Sequence, residues 1–348
     1  MRVLAWPAYS NRELNPYNYL LYSALTELGA TVADARELRL AALVQRYDVL
    51  HLHWPEHYLE LPPPRFLTRA GAFITTLSAL KARGAKVVWT VHNLAPHDPK
   101  NTYAQKPFYR LLTGLVDGTI HLSQEALKEA RTVPHLRALN HKAHVVIPHG
   151  HYRGYYPDNI TSEEARRKLK IGRDHQVLLH LGLLRPYKGI ERLITAFTKL
   201  EDPNMRLVIA GSPADSGFLR TLKSLASADP RIEIHPRFIP NEELQVYFRA
   251  ADIAVLPYRK VLNSGSALLA LSFNVPVLAP ALGSIREVAE QVGEGWVNLF
   301  QGELSSADIL KALAAARRLK GSKPDLSAYE WSRIAASTLD FYKRLRQR

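Results

Sequence analysis

Cysteine is absent from the 348 residues of this sequence. The absence excludes disulfide bonds, thiolate metal sites and cysteine nucleophiles. Long apolar segments are also absent, because no uninterrupted run approaches the roughly 20 residues that a helix needs to cross a bilayer. The N-terminal segment MRVLAWPAY leads into a short apolar strand and lacks the apolar core of a signal peptide. We therefore expect a cytoplasmic protein.

Acidic residues are scarce relative to basic ones. The chain has 32 Asp and Glu residues against 46 Lys and Arg residues, which gives a formal net charge of +14. Such a charge favours an anionic partner, such as a nucleic acid, a membrane surface or a phosphorylated substrate. The basic residues are spread over both halves, and no helix-turn-helix, zinc-finger or RNA-binding signature is present. We therefore expect no nucleic-acid partner.

Two segments combine apolar and basic residues in a way that suits the headgroup region of an anionic membrane. They are residues 64–83 (PRFLTRAGAFITTLSALKAR) and 108–112 (FYRLL). One interpretation is peripheral contact with the inner face of a membrane. Ordinary domain helices with basic outer faces explain the same pattern, and this second interpretation is the simpler one.

Short apolar runs alternate with helical patterns along the chain. The runs lie at 3–6, 49–53, 87–91, 119–122 and 145–147, and then at 177–181, 207–210, 232–235, 253–256 and 277–279. This alternation predicts an α/β protein with parallel strands covered on both faces. Because the chain is long for one core, we predict two doubly wound, Rossmann-like domains that face each other across a cleft, at 1–150 and 151–325. Residues 326–348 are predicted to add a helix that packs back on the first domain.

The segment 177–197 (VLLHLGLLRPYKGIERLITAF) combines a buried strand, a glycine turn and the start of a helix. The strand ends at Gly182, and Arg185 and Lys188 precede the first helical turn. Unpaired backbone N–H groups and the helix dipole favour an anion there, and two cations can close around a diphosphate. The pattern predicts a phosphate-binding loop, and a solvated basic turn is the alternative.

Motifs along nearly the whole chain resemble those of GT-B glycosyltransferases of the GT4 type, most closely the xanthan-pathway β-mannosyltransferase group. In the first half they are Tyr47–Glu56, His92–His97 and His149–Arg153. In the second half they are Arg185–Gly189, Leu256–Tyr258, Asn263–Gly265, Leu268–Ser272, Pro276–Pro280 and Val292–Trp296. The collinear order of these blocks is more specific than any one of them.

The resemblance implies a GT-B fold and a hexosyltransferase whose co-substrate is a nucleotide-diphospho-sugar. The second domain would hold this donor, and the first domain would hold the acceptor. For the closest group it implies GDP-mannose as donor and a lipid-diphosphate-linked oligosaccharide, a glycolipid, as acceptor in polysaccharide or glycoconjugate synthesis. Enzymes of this kind need no cofactor and no bound metal, because cations such as Arg185 and Lys188 neutralise the leaving diphosphate.

The sequence departs from the broad GT4 pattern at a pair of glutamates. The matching positions hold Val261 and Leu269, whose side chains cannot accept hydrogen bonds. The candidate donor-binding residues are instead those at the start of the next helix: Asn263, Ser264, Gly265 and Ser266. The alternative is that Ser264 or Ser266 merely caps that helix. Two functional alternatives also stay open, a transferase that uses a UDP-sugar and a GT-B-shaped protein that binds a nucleotide-sugar without turnover.

Phe238 follows the strand at 232–235, where the resemblance places the nucleobase pocket. An aromatic ring at this position would cover the face of the base. The alternative is a proline-bounded loop in which Phe238 is buried.

Two residues of the first half are candidates for the sugar transfer itself. His92 matches the first-domain histidine that approaches the donor sugar in GT4-like enzymes, and it follows the strand at 87–91. The alternative is a histidine that caps a loop through its ring N–H groups. Glu56 would orient the acceptor or serve as the general base, unless the segment 54–56 simply turns the chain.

The candidate acceptor-binding residues are Trp54, His57, Asn93 and His151. The indole of Trp54 offers a face on which a sugar ring can stack. His149 and His151 lie in the predicted joint between the domains, where they contact a substrate or only stiffen the hinge. His51 and His53 share one strand face, but no third ligand follows at helical spacing, so we expect no zinc site.

Overall fold

The computed structural model describes residues 1–35, 40–96, 100–319 and 321–348, without the side chains of Leu40 and Ala41. His97, the last residue of one motif, lies outside the described residues. The described residues form two units, the first of Met1–Gly150 with Tyr329–Arg348 and the second of His151–Ala328.

The first unit contains a parallel six-stranded sheet with the strand order β2-β1-β3-β4-β5-β6. Its strands are β1 Arg2–Trp6, β2 Thr31–Asp34, β3 Val49–His53, β4 Lys86–Val91, β5 Gly118–His121 and β6 Ala143–Val146. Every residue of β3 and β5 is buried, as expected for strands with helices on both faces.

The first part of this unit also contributes four α-helices, α1 Tyr17–Glu27, α2 Pro63–Ala82, α3 Thr102–Leu115 and α4 Gln124–Thr132. In the core, Phe108 of α3 contacts both Phe66 and Phe73 of α2. Most of the apolar residues in the two membrane candidate segments are therefore core residues of ordinary domain helices. Leu67 and Leu111 are the exceptions, with 65% and 55% of their surface exposed.

The second unit repeats the architecture with a parallel sheet of order β12-β11-β10-β7-β8-β9. Its strands are β7 Gln176–Leu181, β8 Met205–Ala210, β9 Ile232–His235, β10 Ile253–Val255, β11 Val277–Pro280 and β12 Val297–Phe300. Its helices are α5 Ser162–Lys168, α6 Ile190–Phe197, α7 Ser216–Ala226, α8 Leu244–Ala250, α9 Gly265–Ser272, α10 Ser284–Gln291 and α11 Ser306–Arg318.

The last helix, α12 Trp331–Arg346, returns to the first unit. It packs on α1 and buries Phe341, Tyr342 and Leu345. Gly118 lies on β5, and a Cβ at this position would overlap the side chains of Phe341 and Leu345. Helix α12 therefore lies directly on the sheet. None of the helices within the described ranges has the length and hydropathy needed to span a membrane.

Each sheet reverses its strand order at one point. In the first unit the reversal lies between β1 and β3, and in the second unit it lies between β7 and β10. In open parallel sheets, ligands bind beyond the carboxyl ends of the strands at such a point. The loops that follow these strands are therefore where the functional side chains of each unit are expected.

Candidate active site

The loop after β7 in the second unit is shaped by close backbone contacts. Gly182, directly after the strand, has a φ angle of +143°. Its carbonyl oxygen lies so close to Gly211, after β8, that a Cβ at Gly211 would overlap it. Gly189, which precedes α6, has a φ angle of +67°, and a Cβ there would overlap the carbonyl oxygen of Pro257. Glycine is therefore required for this loop to reach the end of β10.

Lys188 is the cation that this loop fixes in place. Its Nζ lies 3.3 Å from the hydroxyl of Tyr258 and 4.8 Å from the centre of the Tyr258 ring. Burial lowers the pKa of Lys188, but the phenol groups of Tyr258 and Tyr187 outweigh that effect, so its pKa is raised overall and the side chain stays charged. A Cβ at Gly182 would lie 3.5 Å from Nζ of Lys188. The ammonium group of Lys188 therefore lies close to the end of the predicted strand.

Arg185, the second predicted cation, lies at the start of the same loop, where its backbone carbonyl accepts a hydrogen bond from the N–H of Lys188. Its side chain is exposed. The structure therefore holds Lys188 in a fixed position and leaves Arg185 on the surface of the loop, and the contact of Arg185 with a diphosphate stays a prediction.

The predicted donor-binding segment lies at the start of α9. Ser264 is the N-cap of this helix, because its Oγ accepts a hydrogen bond from the backbone N–H of Ala267 at 3.3 Å. The backbone N–H of Ser264 in turn donates to Oγ of Ser284. Ser264 therefore caps the helix, and its contact with a donor stays a prediction. Asn263, Gly265 and Ser266 are half-buried around the same helix start, and their role toward a donor stays a prediction.

Phe238, the nucleobase candidate, lies after β9 with 56% of its surface exposed. The alternative of a buried ring in a proline-bounded loop is therefore wrong. The neighbouring Arg237 forms an ion pair with Glu243. An exposed aromatic ring after this strand keeps a face accessible for stacking.

His180, near the end of β7, is a residue that the sequence interpretation missed. It is fully buried, and its Nδ1 lies 2.9 Å from the carbonyl oxygen of Val255. Its Nε2 has no hydrogen-bond partner among the described residues. Burial, reinforced by the nearby charge of Lys188, lowers the pKa of His180 to about 4. A histidine inside an otherwise aliphatic strand, two residues before the glycine, was the available signal.

In the first unit, Glu56 occupies an unusual position for a carboxylate. It lies in the short 3-10 helix Pro55–Glu60, directly after Trp54, whose backbone is left-handed with φ of 52°. Only 4% of Glu56 is exposed, and Asn93 Nδ2 donates a hydrogen bond to its Oε1 at 2.9 Å. Its Oε2 has no hydrogen-bond partner among the described residues. Burial raises the pKa of Glu56 to about 7, although the Asn93 hydrogen bond acts in the opposite direction.

His92 lies beside this group, after β4. Its ring stacks on Trp54 with a centroid distance of 4.2 Å and an interplanar angle of 20°, and it meets the edge of Tyr17 at 5.0 Å. Burial lowers the pKa of His92 well below its ordinary value. The structure therefore brings together four predicted residues of the first half, Trp54, Glu56, His92 and Asn93.

A chain of hydrogen bonds leads from the core of the first unit to His92. Thr90 Oγ1 lies 2.7 Å from Nε2 of His51, and Nδ1 of His51 lies 2.8 Å from the hydroxyl of Tyr22. That hydroxyl lies 2.7 Å from Nε2 of His53, and Nδ1 of His53 lies 2.9 Å from Nε2 of His92. We call these five residues the histidine chain.

The histidines of the histidine chain are uncharged. His51 and His53 are fully buried, and burial lowers the pKa of His51 to about 3 and the pKa of His53 well below its ordinary value. No cluster of three metal-ligating side chains occurs in the parts of the chain that the structure describes. The strand spacing correctly paired His51 with His53, but Tyr22 comes from α1 and could not be found from that spacing.

The remaining acceptor candidates lie elsewhere. The side chain of His57 is largely exposed and pairs with Glu60, 3.4 Å away, which raises the pKa of His57. His151 belongs to the second unit, where its buried ring accepts a hydrogen bond from the backbone N–H of Arg153. His149, in the first unit, packs against Tyr17 with a centroid distance of 4.7 Å, and burial lowers its pKa to about 4.

Residues 161–319 match the sequence profile of the family described as glycosyl transferases group 1. A GDP-mannose:glycolipid 4-beta-D-mannosyltransferase from Xanthomonas campestris pv. campestris is 36% identical over 327 residues, which cover 93% of this chain and 86% of that protein. A D-inositol 3-phosphate glycosyltransferase from Streptosporangium roseum is 24% identical over 88% of this chain and 72% of its own length.

Solved structures agree with this assignment at the level of the fold. Sucrose-phosphate synthase from Thermosynechococcus elongatus superposes with a TM-score of 0.66 at 15% identity and 99% coverage of both chains. HepE from Anabaena, solved in complex with UDP, gives a TM-score of 0.62 at 15% identity, with 100% of this chain and 98% of that chain covered. The two doubly wound sheets confirm the GT-B fold class that the sequence predicted.

Proposed function

The chain belongs to the group 1 glycosyltransferases, and from this premise we propose that it transfers mannose from GDP-mannose to a glycolipid with formation of a β-linkage. The observation that supports this reaction is the 36% identity, over nearly the whole length of both chains, to a mannosyltransferase whose name states that donor and that acceptor class. That identity covers 93% of this chain, so the similarity extends over both units.

The second unit supplies the groups that suit a nucleotide donor. Lys188 is charged, fixed by Tyr258, and adjacent to the tight glycine turn after β7. A fixed cation and backbone N–H groups stabilise the negative charge that develops on a departing diphosphate. We propose that Lys188 contacts the diphosphate directly, that Arg185 and the start of α9 complete its surroundings, and that Phe238 stacks on the nucleobase.

The first unit supplies a candidate base. The mannosyl group of GDP-mannose is α-linked, so a β-linked product requires attack on the face opposite the leaving diphosphate. In this step the bond from the anomeric carbon to the phosphate oxygen breaks, a bond to the acceptor oxygen forms, and the acceptor hydroxyl loses its proton. We propose Glu56 as the group that takes the proton at Oε2, because a carboxyl with a pKa of about 7 is a competent base near neutral pH.

The side chains around Glu56 suit the binding of a sugar acceptor. Trp54 lies two residues before Glu56 and stacks on His92, and Asn93 holds one carboxylate oxygen of Glu56 in place. Aromatic rings stack on sugar faces while neighbouring polar groups fix the hydroxyls. We propose that Trp54 orients the acceptor sugar and that Asn93 acts through Glu56.

The acceptor class also gives a role to the surface of α2 and α3. Arg65 and Arg69 on α2 and Lys106 and Arg110 on α3 are exposed, together with Leu67, Tyr103 and Leu111. Neither helix contains an Asp or Glu residue. Exposed apolar residues with cations around them bind the headgroup region of anionic membranes. We propose that this surface, the α2–α3 face, holds the protein peripherally on a membrane that carries its acceptor.

The reaction is tested with purified protein, a synthetic lipid-diphosphate-linked oligosaccharide, and GDP-mannose, GDP-glucose or UDP-glucose as donor. We expect release of GDP and a β-mannosyl product by NMR with GDP-mannose alone. Glu56→Gln should abolish transfer without weakening GDP binding, and Glu60→Gln on the same 3-10 helix is the matched control that should stay active. An α-linked product would overturn the inverting mechanism, and turnover only with UDP-glucose would overturn the choice of donor.

A further inference from the structure

The histidine chain raises the question of which nitrogen of His92 carries its proton. Because burial lowers the pKa of His51, His53 and His92, each ring is neutral and has one N–H donor and one acceptor nitrogen. In such a ring the hydrogen bond at one nitrogen determines the state of the other. The direction of the bonds through the chain therefore determines the tautomer of His92.

The direction of the hydrogen bonds is set where the histidine chain meets α12. Nδ1 of His51 lies 2.8 Å from the hydroxyl oxygen of Tyr22 and 2.6 Å from that of Tyr342, on α12. If Nδ1 were an acceptor, two hydroxyl donors would compete for its one lone pair. If it carries the proton, one N–H is shared between two oxygen acceptors, and Nε2 of His51 accepts from Thr90. The second arrangement satisfies both phenol oxygens.

The donor and the acceptor of each remaining hydrogen bond follow from the proton on Nδ1 of His51. Once the hydroxyl oxygen of Tyr22 accepts from His51, its own proton goes to Nε2 of His53. Nδ1 of His53 then carries the proton and donates to Nε2 of His92. Each member from His51 to His53 accepts one hydrogen bond and donates one, so no buried polar atom along this path conflicts with its neighbour.

We propose that His51, Tyr22 and His53 are positioning residues that hold His92 as the Nδ1–H tautomer, and that Tyr342 selects this direction. His92 then acts as a hydrogen-bond donor through Nδ1, and its Nε2 is occupied by His53. It therefore does not serve as a base in the transfer reaction, which leaves that task to Glu56. Only the meaning for catalysis rests on the proposed function, since the tautomer is a property of the protein without substrate.

The proposal is tested by the 15N spectrum of the full chain labelled at histidine, recorded without substrate at pH 8. The His92 signals are identified from their loss in His92→Asn. We expect a pyrrole-type shift for Nδ1 and a pyridine-type shift for Nε2. A pyrrole-type Nε2 in the wild-type protein would overturn the proposal, and this measurement needs no variant other than the one used for assignment.

Two variants then test the origin of the tautomer. Tyr342→Phe removes the competing hydroxyl, so both directions become allowed and the His92 signals should show both tautomers. Tyr109→Phe is the matched control, because the Tyr109 hydroxyl is buried in the same unit without a hydrogen-bond partner among the described residues, and it should leave the His92 signals unchanged. An unmixed wild-type tautomer in folded Tyr342→Phe would refute the selection by Tyr342.

Activity measurements, combined with the 15N spectrum, test this inference independently of the proposed reaction. Tyr22→Phe removes the two hydrogen bonds that join His51 to His53, and the resulting misorientation of His92 should lower kcat about fivefold with little change in KM. A mixed His92 tautomer in this variant supports the inference even if no mannosyl transfer is found in any protein. Transfer by an enzyme whose His92 is the Nε2–H tautomer would refute the inference and leave the reaction standing.

Discussion

Asn93 donates a hydrogen bond from Nδ2 to Oε1 of Glu56 across 2.9 Å, and this bond is the largest of the contributions that favour the ionised form of Glu56. Burial favours the neutral form more strongly, which places the pKa at about 7. A small change in either contribution therefore moves the ionisation of Glu56 across the neutral range. Exposed carboxyl groups, by contrast, keep pKa values of about 4 and stay ionised throughout the neutral range.

The first prediction concerns the pH dependence of transfer. Since a base must be deprotonated to act, kcat/KM should rise with pH, with a midpoint near 7 and a plateau above it. Asn93→Ala removes the contact that favours the carboxylate, so the midpoint should move about one pH unit upward. Glu60→Gln removes a nearby negative charge that raises the pKa, so it should move the midpoint slightly downward. A midpoint that does not respond to Asn93→Ala would exclude Glu56 as the titrating base.

The second prediction concerns stability. Between pH 4.5 and about 7 the folded protein keeps a proton on Glu56 that the unfolded chain has lost, because the folded pKa is raised. The wild-type protein should therefore lose stability as pH rises through this window. Glu56→Gln is neutral at every pH and should be more stable than wild type by up to about 3 kcal/mol at pH 8, with a smaller difference at pH 5. Urea denaturation at both pH values measures it, and a difference independent of pH would contradict the raised pKa.

Most strands were predictable from the sequence, and two edge strands were not. All five apolar runs of each half correspond to strands, but β2 and β12 were missed. Both are edge strands, and residues such as Thr31 and Leu299 are exposed. A strand buried on both faces needs a continuous apolar run, whereas an edge strand does not. The other two edge strands, β6 and β9, were predicted all the same, because Val145 and Val146 in β6 and Ile232 and Ile234 in β9 mark them in the sequence.

The candidate site was predictable where it depends on local sequence. Gly182 and Lys188 are close because they belong to one loop, and Glu56 lies only two residues after Trp54. The partners of His51 could not be predicted in this way, because Tyr22 comes from α1 and Tyr342 lies 291 residues away along the chain. The pKa of Glu56 likewise depends on burial, which the sequence around it does not indicate.

The third prediction concerns the donor loop. Lys188→Ala should weaken GDP binding by about 10- to 100-fold, as expected for loss of a charged hydrogen bond. Tyr258→Phe keeps the ring beneath the ammonium group but removes the hydroxyl, so the loss should be only severalfold. Arg173→Ala is the control, because Arg173 is exposed in the same unit and pairs with Glu163. Titration calorimetry at constant ionic strength measures the affinities, and an unchanged affinity in folded Lys188→Ala would exclude contact with the diphosphate.

The fourth prediction concerns the glycine turn. Gly211 has a φ angle of +148°, and a Cβ there would overlap the backbone of Gly182. Gly211→Ala should therefore destabilise the protein by about 2–3 kcal/mol and weaken GDP binding as the loop shifts. Gly71→Ala on α2 is the matched substitution, because a Cβ at Gly71 would have no atom within 4 Å and the helical backbone there accepts alanine. It should stabilise the protein by about 0.5–1 kcal/mol. Equal effects of the two substitutions would contradict the close approach of the strands.

The fifth prediction concerns the α2–α3 face. Leu67 and Leu111 are exposed among arginine and lysine side chains, and insertion of each leucine into a headgroup region would contribute about 1.5–3 kcal/mol. The double substitution Leu67→Ser and Leu111→Ser should therefore reduce binding to phosphatidylglycerol vesicles by at least about tenfold, as measured by co-sedimentation. Leu310→Ser, at an exposed leucine of α11 in the second unit, should leave vesicle binding unchanged.

Because the cations of the α2–α3 face contribute as well, vesicle binding of the wild-type protein should weaken when salt is added or when the vesicles are made of neutral lipid. Equal vesicle binding by the wild-type protein and the double variant would assign membrane contact to another surface and leave the acceptor chemistry at Glu56 unaffected.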